Sequence, residues 1–94
     1  MQLVFSCRAE TDLEDIGDYI AKDNPSRAAT FIREMREHCR HLVDFPSAAR
    51  LRPEFGEGVR ASIFGRYLIF YVVYDEILEI RRVIHSARNL TVLD

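Results

Sequence analysis

The spacing of apolar residues changes once along this chain, and that change decides what the chain can fold into. Between Ala9 and Leu42 they recur at steps of three and four: first Ala9, Leu13, Ile16, Tyr19 and Ile20, then Ala28, Phe31, Ile32, Met35, Cys39 and Leu42. From Val59 onward the step is two, with Val59, Ala61 and Ile63 alternating with Arg60, Ser62 and Phe64. A repeat of about 3.6 keeps side chains on one helix face, and a repeat of about 2 keeps them on one sheet face. A chain that uses each regime in its own half is an α+β protein, helices first and sheet second.

The boundaries are written in punctuating residues. MQLVF reads as a short first strand, and Ser6 suits the cap of the helix that follows; Thr11 with Glu14 offers an alternative capping box one turn later. That helix turns Glu10, Asp12, Asp15 and Asp18 toward solvent. In Asp23-Asn24-Pro25, asparagine fits an N-cap and proline the first helical position, where its missing N–H costs nothing. The second helix stops before Pro46, and the short joint makes an antiparallel helix hairpin. Residues 46–58 read as a loop. Gly65-Arg66 and Asp75-Glu76 then divide the rest into three antiparallel strands, with YLIFYVVY (67–74) in the centre. The expectation is β-α-α-β-β-β, with the helix pair on one face of a small, mainly antiparallel sheet.

Size and composition exclude several classes. Ninety-four residues, 48% of them hydrophobic and ten aromatic, predict one folded domain over 1–94 rather than two domains or a disordered chain. No apolar run approaches the roughly 18 residues a membrane span needs, and the N-terminus lacks the pattern of a secretory signal, so a cytoplasmic protein is expected. Cys7 and Cys39 read as free thiols. His38, Cys39 and His41 diverge around a helix and lack a fourth ligand, so neither metal nor cofactor is expected.

Charge is distributed unevenly. Residues 7–23 carry six acids against two bases, whereas residues 60–88 carry five arginines against three acids; twelve of the thirteen basic residues are arginine. The net charge of −2 gives no general attraction to nucleic acid or to a membrane surface. Within RRVIHSARN (81–89), Arg81 and Arg82 are consecutive and project from opposite faces, one toward the better buried side. With Arg60 and Arg82 on the sheet face away from the helices, Arg60, Arg82, His85 and Arg88 would share a concave surface. There the arginines would stabilise a phosphorane and the histidine would move protons. The plainer alternative pairs Arg81 and Arg82 with Glu76, Glu79 or the acidic first helix.

Four strings in order resemble the ParE branch of the ParE/RelE toxin superfamily: ETDLEDIGDYIAKDNP (10–25), RPEFGEGVR (52–60), GRYLIFYVVY (65–74) and RRVIHSARN (81–89). The resemblance spans nearly the whole chain. It implies the same β-α-α-β-β-β fold, a ParD-like antitoxin whose C-terminal segment folds on the toxin, and poisoning of DNA gyrase by protein contact without chemistry. RelE-like members instead cut messenger RNA on the ribosome, and a member that has lost activity and only binds its antitoxin is a further alternative. Gly58-Val59-Arg60 matches the family's Gly-x-Arg, and Arg82, His85 and Arg88 match its last-strand motif. No lysine follows Lys22 and no tyrosine follows Tyr74, which favours the gyrase branch. Ser86 and Asn89 replace the Gly and Asp usual in the family's ending. The resemblance thus implies target contacts at Arg60, Arg82, His85, Arg88, Asn89 and Leu90. It also implies an apolar groove in which Phe31, Met35, Leu42 and Phe55 receive the antitoxin.

Overall fold

A computed structural model describes residues 1–87. Its elements run β1 (Gln2–Phe5), α1 (Cys7–Ala21), α2 (Pro25–Asp44), β2 (Arg50–Leu51), a 3-10 turn (Pro53–Phe55), β3 (Arg60–Phe64), β4 (Tyr67–Tyr74) and β5 (Ile77–His85). The expected α+β arrangement is present, with the helix hairpin packed on one face of a sheet ordered β1-β5-β4-β3-β2. β1 lies parallel to β5 and every other pairing is antiparallel.

The caps explain where the helices begin. Ser6 Oγ accepts from the amide of Ala9, and Asn24 Oδ1 accepts from that of Arg27, with Pro25 in the first turn. Thr11 does not cap; its hydroxyl donates to the carbonyl of Cys7 within α1. One strand was not expected from the sequence. Arg50 and Leu51 pair with Ala61 and Arg60 inside the segment read as a loop, a ladder too short to show a period.

The sheet buries residues on both faces. Against the helices lie Ile69, Tyr71, Leu78, Ile80 and Val83, meeting Ala9, Leu13, Ile16, Met35, Cys39 and Leu42. On the opposite face Val59, Ala61, Phe70, Val72 and Ile84 form a second cluster, covered in part by Phe55, whose ring meets Phe70 edge-on at 5.2 Å. Because β4 is buried on both sides, its sequence is continuously apolar instead of alternating.

A bulge breaks the β4–β5 register. Phe70 pairs with Arg82 but Tyr71 pairs with Ile80, so Arg81 is the extra residue. Arg81 turns outward to Glu79 at 2.9 Å, and Arg82 is the arginine that is part-buried.

Candidate functional site

The two arginines expected to work together are held apart. Arg60 pairs across the ladder with Tyr71, and Arg82 with Phe70; adjacent strand residues point to opposite faces, so Arg60 and Arg82 do too. The expected shared surface away from the helices therefore does not form. Arg60 Nη1 donates to the carbonyls of Ala49 and Ser47, at 2.7 and 3.2 Å, while the hydroxyl of Tyr71 donates to that of Pro46 at 2.8 Å. Together they pin the turn after α2. Burial raises the pKa of Tyr71, keeping its phenol a donor.

Arg82 follows the plainer alternative and pairs with the acidic helix. Its Nε and Nη2 reach the two carboxylate oxygens of Asp12 at 2.9 and 3.1 Å, and the amide of Val83 donates to the same carboxylate at 2.8 Å. The side chains are 13% and 12% exposed, so Asp12 is not the solvated charge its position in the acidic run suggested. The reason lies in the sheet. β1 pairs with β5 only as far as Ile80, beyond which the β5 edge faces α1. Ser6 Oγ donates to the carbonyl of Arg81, and Asp12 satisfies the amide of Val83. Helix side chains thus take over the hydrogen bonds that a longer strand would have made.

His85 closes β5. Its ring meets Tyr67 edge-on at 5.3 Å, and Nδ1 accepts from the amide of Ala87 at 3.1 Å, leaving Nε2 to carry the proton of the neutral ring. Beside it opens a groove of about 890 Å³ between α1 and the β3–β4 turn. Ile16, Ile20, Phe31 and Tyr67 line its apolar floor, with Asp15 on one wall and Arg66 and His85 on the other. Tyr19, expected on the buried face of α1, stands at its rim 70% exposed. Arg88, Asn89 and Leu90 lie outside the described residues.

A smaller groove, about 480 Å³, lies further along α2 and is lined by His38, His41, Leu42, Phe45, Arg50 and Ile63 among others. At its base His38 Nε2 and the hydroxyl of Ser62 are 2.8 Å apart, a contact that sequence reading missed. The signal was a serine between two apolar strand residues. Desolvation, reinforced by nearby His41, lowers the pKa of His38. Between the grooves stands Phe64, its ring 5.5 Å from Phe31 and 5.2 Å from the imidazole of His38.

The four residues expected to receive an antitoxin do not share one groove. Phe31 lines the larger and Leu42 the smaller, Met35 is fully buried beneath the helix pair, and Phe55 is on the far face of the sheet. Spacing alone placed Phe31 and Met35 together, but on α2 only Phe31 reaches the groove. Cys39 is buried as well, and burial pushes its thiol up to about 12, so it packs as an apolar side chain. Among the described residues no cluster of three or more His, Cys, Asp or Glu is placed to hold a metal ion, and no helix is long and apolar enough to cross a membrane.

The chain thus places a helix hairpin on one face of a five-stranded sheet, with apolar grooves beside it and two arginines bonded into the scaffold. Residues 3–90 match the family described as ParE toxin of type II toxin–antitoxin system, parDE. The chain is also 30% identical to Toxin RelE2 of Caulobacter vibrioides over 87 residues, covering 93% of this chain and 97% of that protein. A solved chain from the chromosomal ParDE system of P. aeruginosa superposes with a TM-score of 0.80 at 22% identity, covering 90% of this chain and 95% of that one. The chain belongs to the ParE toxin family of type II toxin–antitoxin systems.

Proposed function

We propose that this toxin inhibits DNA gyrase by direct protein contact and is neutralised by a ParD-like antitoxin whose helix occupies the larger groove. The observation that carries the non-catalytic part is the separation of Arg60 and Arg82. Both guanidiniums are committed to intramolecular hydrogen bonds on opposite faces of the sheet, and the Nδ1 lone pair of His85 is taken by a backbone amide. A phosphoryl transition state needs its cations and its acid–base group around one point. In this reading Arg60 and Arg82 hold the architecture, His85 fixes the end of β5, and Arg88, Asn89 and Leu90 contact the target.

The antitoxin reading rests on the chemistry of the larger groove. An amphipathic helix would place aliphatic side chains against Ile16, Ile20, Phe31 and Tyr67, with basic residues toward Asp15 and acidic residues toward Arg66. Of the four residues assigned to this contact, Phe31 lines this groove and Leu42 the smaller one.

The test is supercoiling of relaxed plasmid by purified gyrase with the folded chain added and the antitoxin as the reversing control. Inhibition relieved by antitoxin is expected. Uninhibited gyrase would remove the reading. The name of the relative RelE2 supports a second reading, ribosome-dependent cleavage of messenger RNA, which cleavage of translated message by the purified chain would establish.

A further inference from the structure

The smaller groove has two unlike sides. Leu42, Phe45 and Ile63 make one of them apolar, with Phe45 and Ile63 exposed at the rim. His38, His41, Arg50 and Ser62 are its polar members, and no carboxylate lines it. Its volume of about 480 Å³ falls within the roughly 300–1,000 Å³ of small-molecule sites, which also combine apolar walls with a few convergent polar groups.

Charge decides what would fill it. Among the described residues the Arg50 side chain makes no ion pair or hydrogen bond, and Glu54, which feels its charge, gives its own carboxylate to Arg52 at 2.7 Å. The histidines add little positive charge. His38 is neutral at pH 7, because burial and His41 lower its pKa, and Nε2 of His41 already lies 3.7 Å from Glu37. One permanent cation therefore stands in the groove, which balances the single charge of a carboxylate better than the two of a phosphate monoester. Its guanidinium fork also matches the two oxygens of a carboxylate. At the base, Nε2 of His38 and the hydroxyl of Ser62 satisfy each other at 2.8 Å, so an apolar group can lie over them without leaving either unpaired.

We propose that the smaller groove binds a small organic monocarboxylate, with its carboxylate on the guanidinium of Arg50 and its apolar body against Leu42, Phe45 and Ile63, over the His38–Ser62 pair. This goes beyond the function proposed above and does not rest on it.

The experiment follows the imidazole NMR signals of the full chain as hydrocinnamate is added, with hydrocinnamyl alcohol and inorganic phosphate as parallel titrants. Saturable shifts of His38 and His41 with one common midpoint are expected, while His85, in the larger groove, stays still. The alcohol and phosphate should each need at least tenfold more ligand. Arg50→Gln is expected to weaken hydrocinnamate binding roughly tenfold and Phe45→Ala about threefold, both being at exposed positions. No saturable shift at millimolar hydrocinnamate removes the site. Equal shifts at His85 mean non-specific association and remove it too. Equally tight binding of the alcohol, or undiminished binding by Arg50→Gln, overturns the role given to Arg50. Tighter binding of phosphate overturns the choice of a monocarboxylate.

Discussion

The two grooves share the wall of α2 but are finished in different ways. At the larger, the β5 edge is sealed by Asp12, whose carboxylate serves Arg82 and the Val83 amide together. At the smaller, the β3 edge beside Ile63 is left open. A part-buried pair with its hydrogen bonds satisfied fixes the position of one element on another, whereas an unpaired edge leaves backbone groups open to solvent. The contrast shows how a small fold can keep one sheet margin rigid and another available.

The contrast breaks first at Asp12. Replacing it with alanine takes the carboxylate away from the Arg82 charge and leaves the Val83 amide without its acceptor in a site of low exposure, a loss of about 3–5 kcal/mol. Urea unfolding is expected to report it, and Asp12→Asn, which still accepts from Val83, should lose less. If Asp12→Ala is as stable as the parent, the lock is decorative. Arg82→Ala is expected to lose toxicity through folding; full stability with lost toxicity would return Arg82 to the target surface.

Smaller changes sharpen the comparison at the grooves. Phe31→Ala removes the wall nearest Phe64 and Tyr67, and antitoxin affinity is expected to fall tenfold or more in calorimetry. Tyr71→Phe leaves the carbonyl of Pro46 without its donor and should cost about 1 kcal/mol, read from the urea midpoint. Tyr19→Ala, at the exposed rim, should change stability by less than about 0.5 kcal/mol.

The smallest effect is a pH dependence at His38. Its folded pKa lies below the ordinary value of 6.5, so between the two the unfolded chain binds more protons and stability rises with pH. The contribution is full above about 6.5 and is lost as pH falls through the folded value. The urea midpoint should drop modestly between pH 7 and 5, and the drop should shrink in His38→Gln. An identical drop in that variant would place the titration elsewhere.

How much of this was legible follows from the range of each cause. The hairpin, its caps at Ser6 and Asn24 and the central strand 67–74 were readable because periodicity and capping are local. Alternation over 59–64 does not say which face is covered or where a strand becomes an edge: Ile63 is exposed, while Ser62 and Phe64 take the helix side. The bulge at Arg81 has no local marker, yet it separates the fates of two consecutive arginines.

The site divided along the same line. The sequence by itself determined the α+β class, the family resemblance and the concentration of arginine after residue 60, since these depend on composition and short-range pattern. Only the tertiary structure decided that Arg82 meets Asp12 across 70 positions while Arg60 ties down the turn after α2. Ion-pair partners are chosen by which elements finish side by side and where a neighbouring strand ends, and neither is encoded in the residues that make the pair.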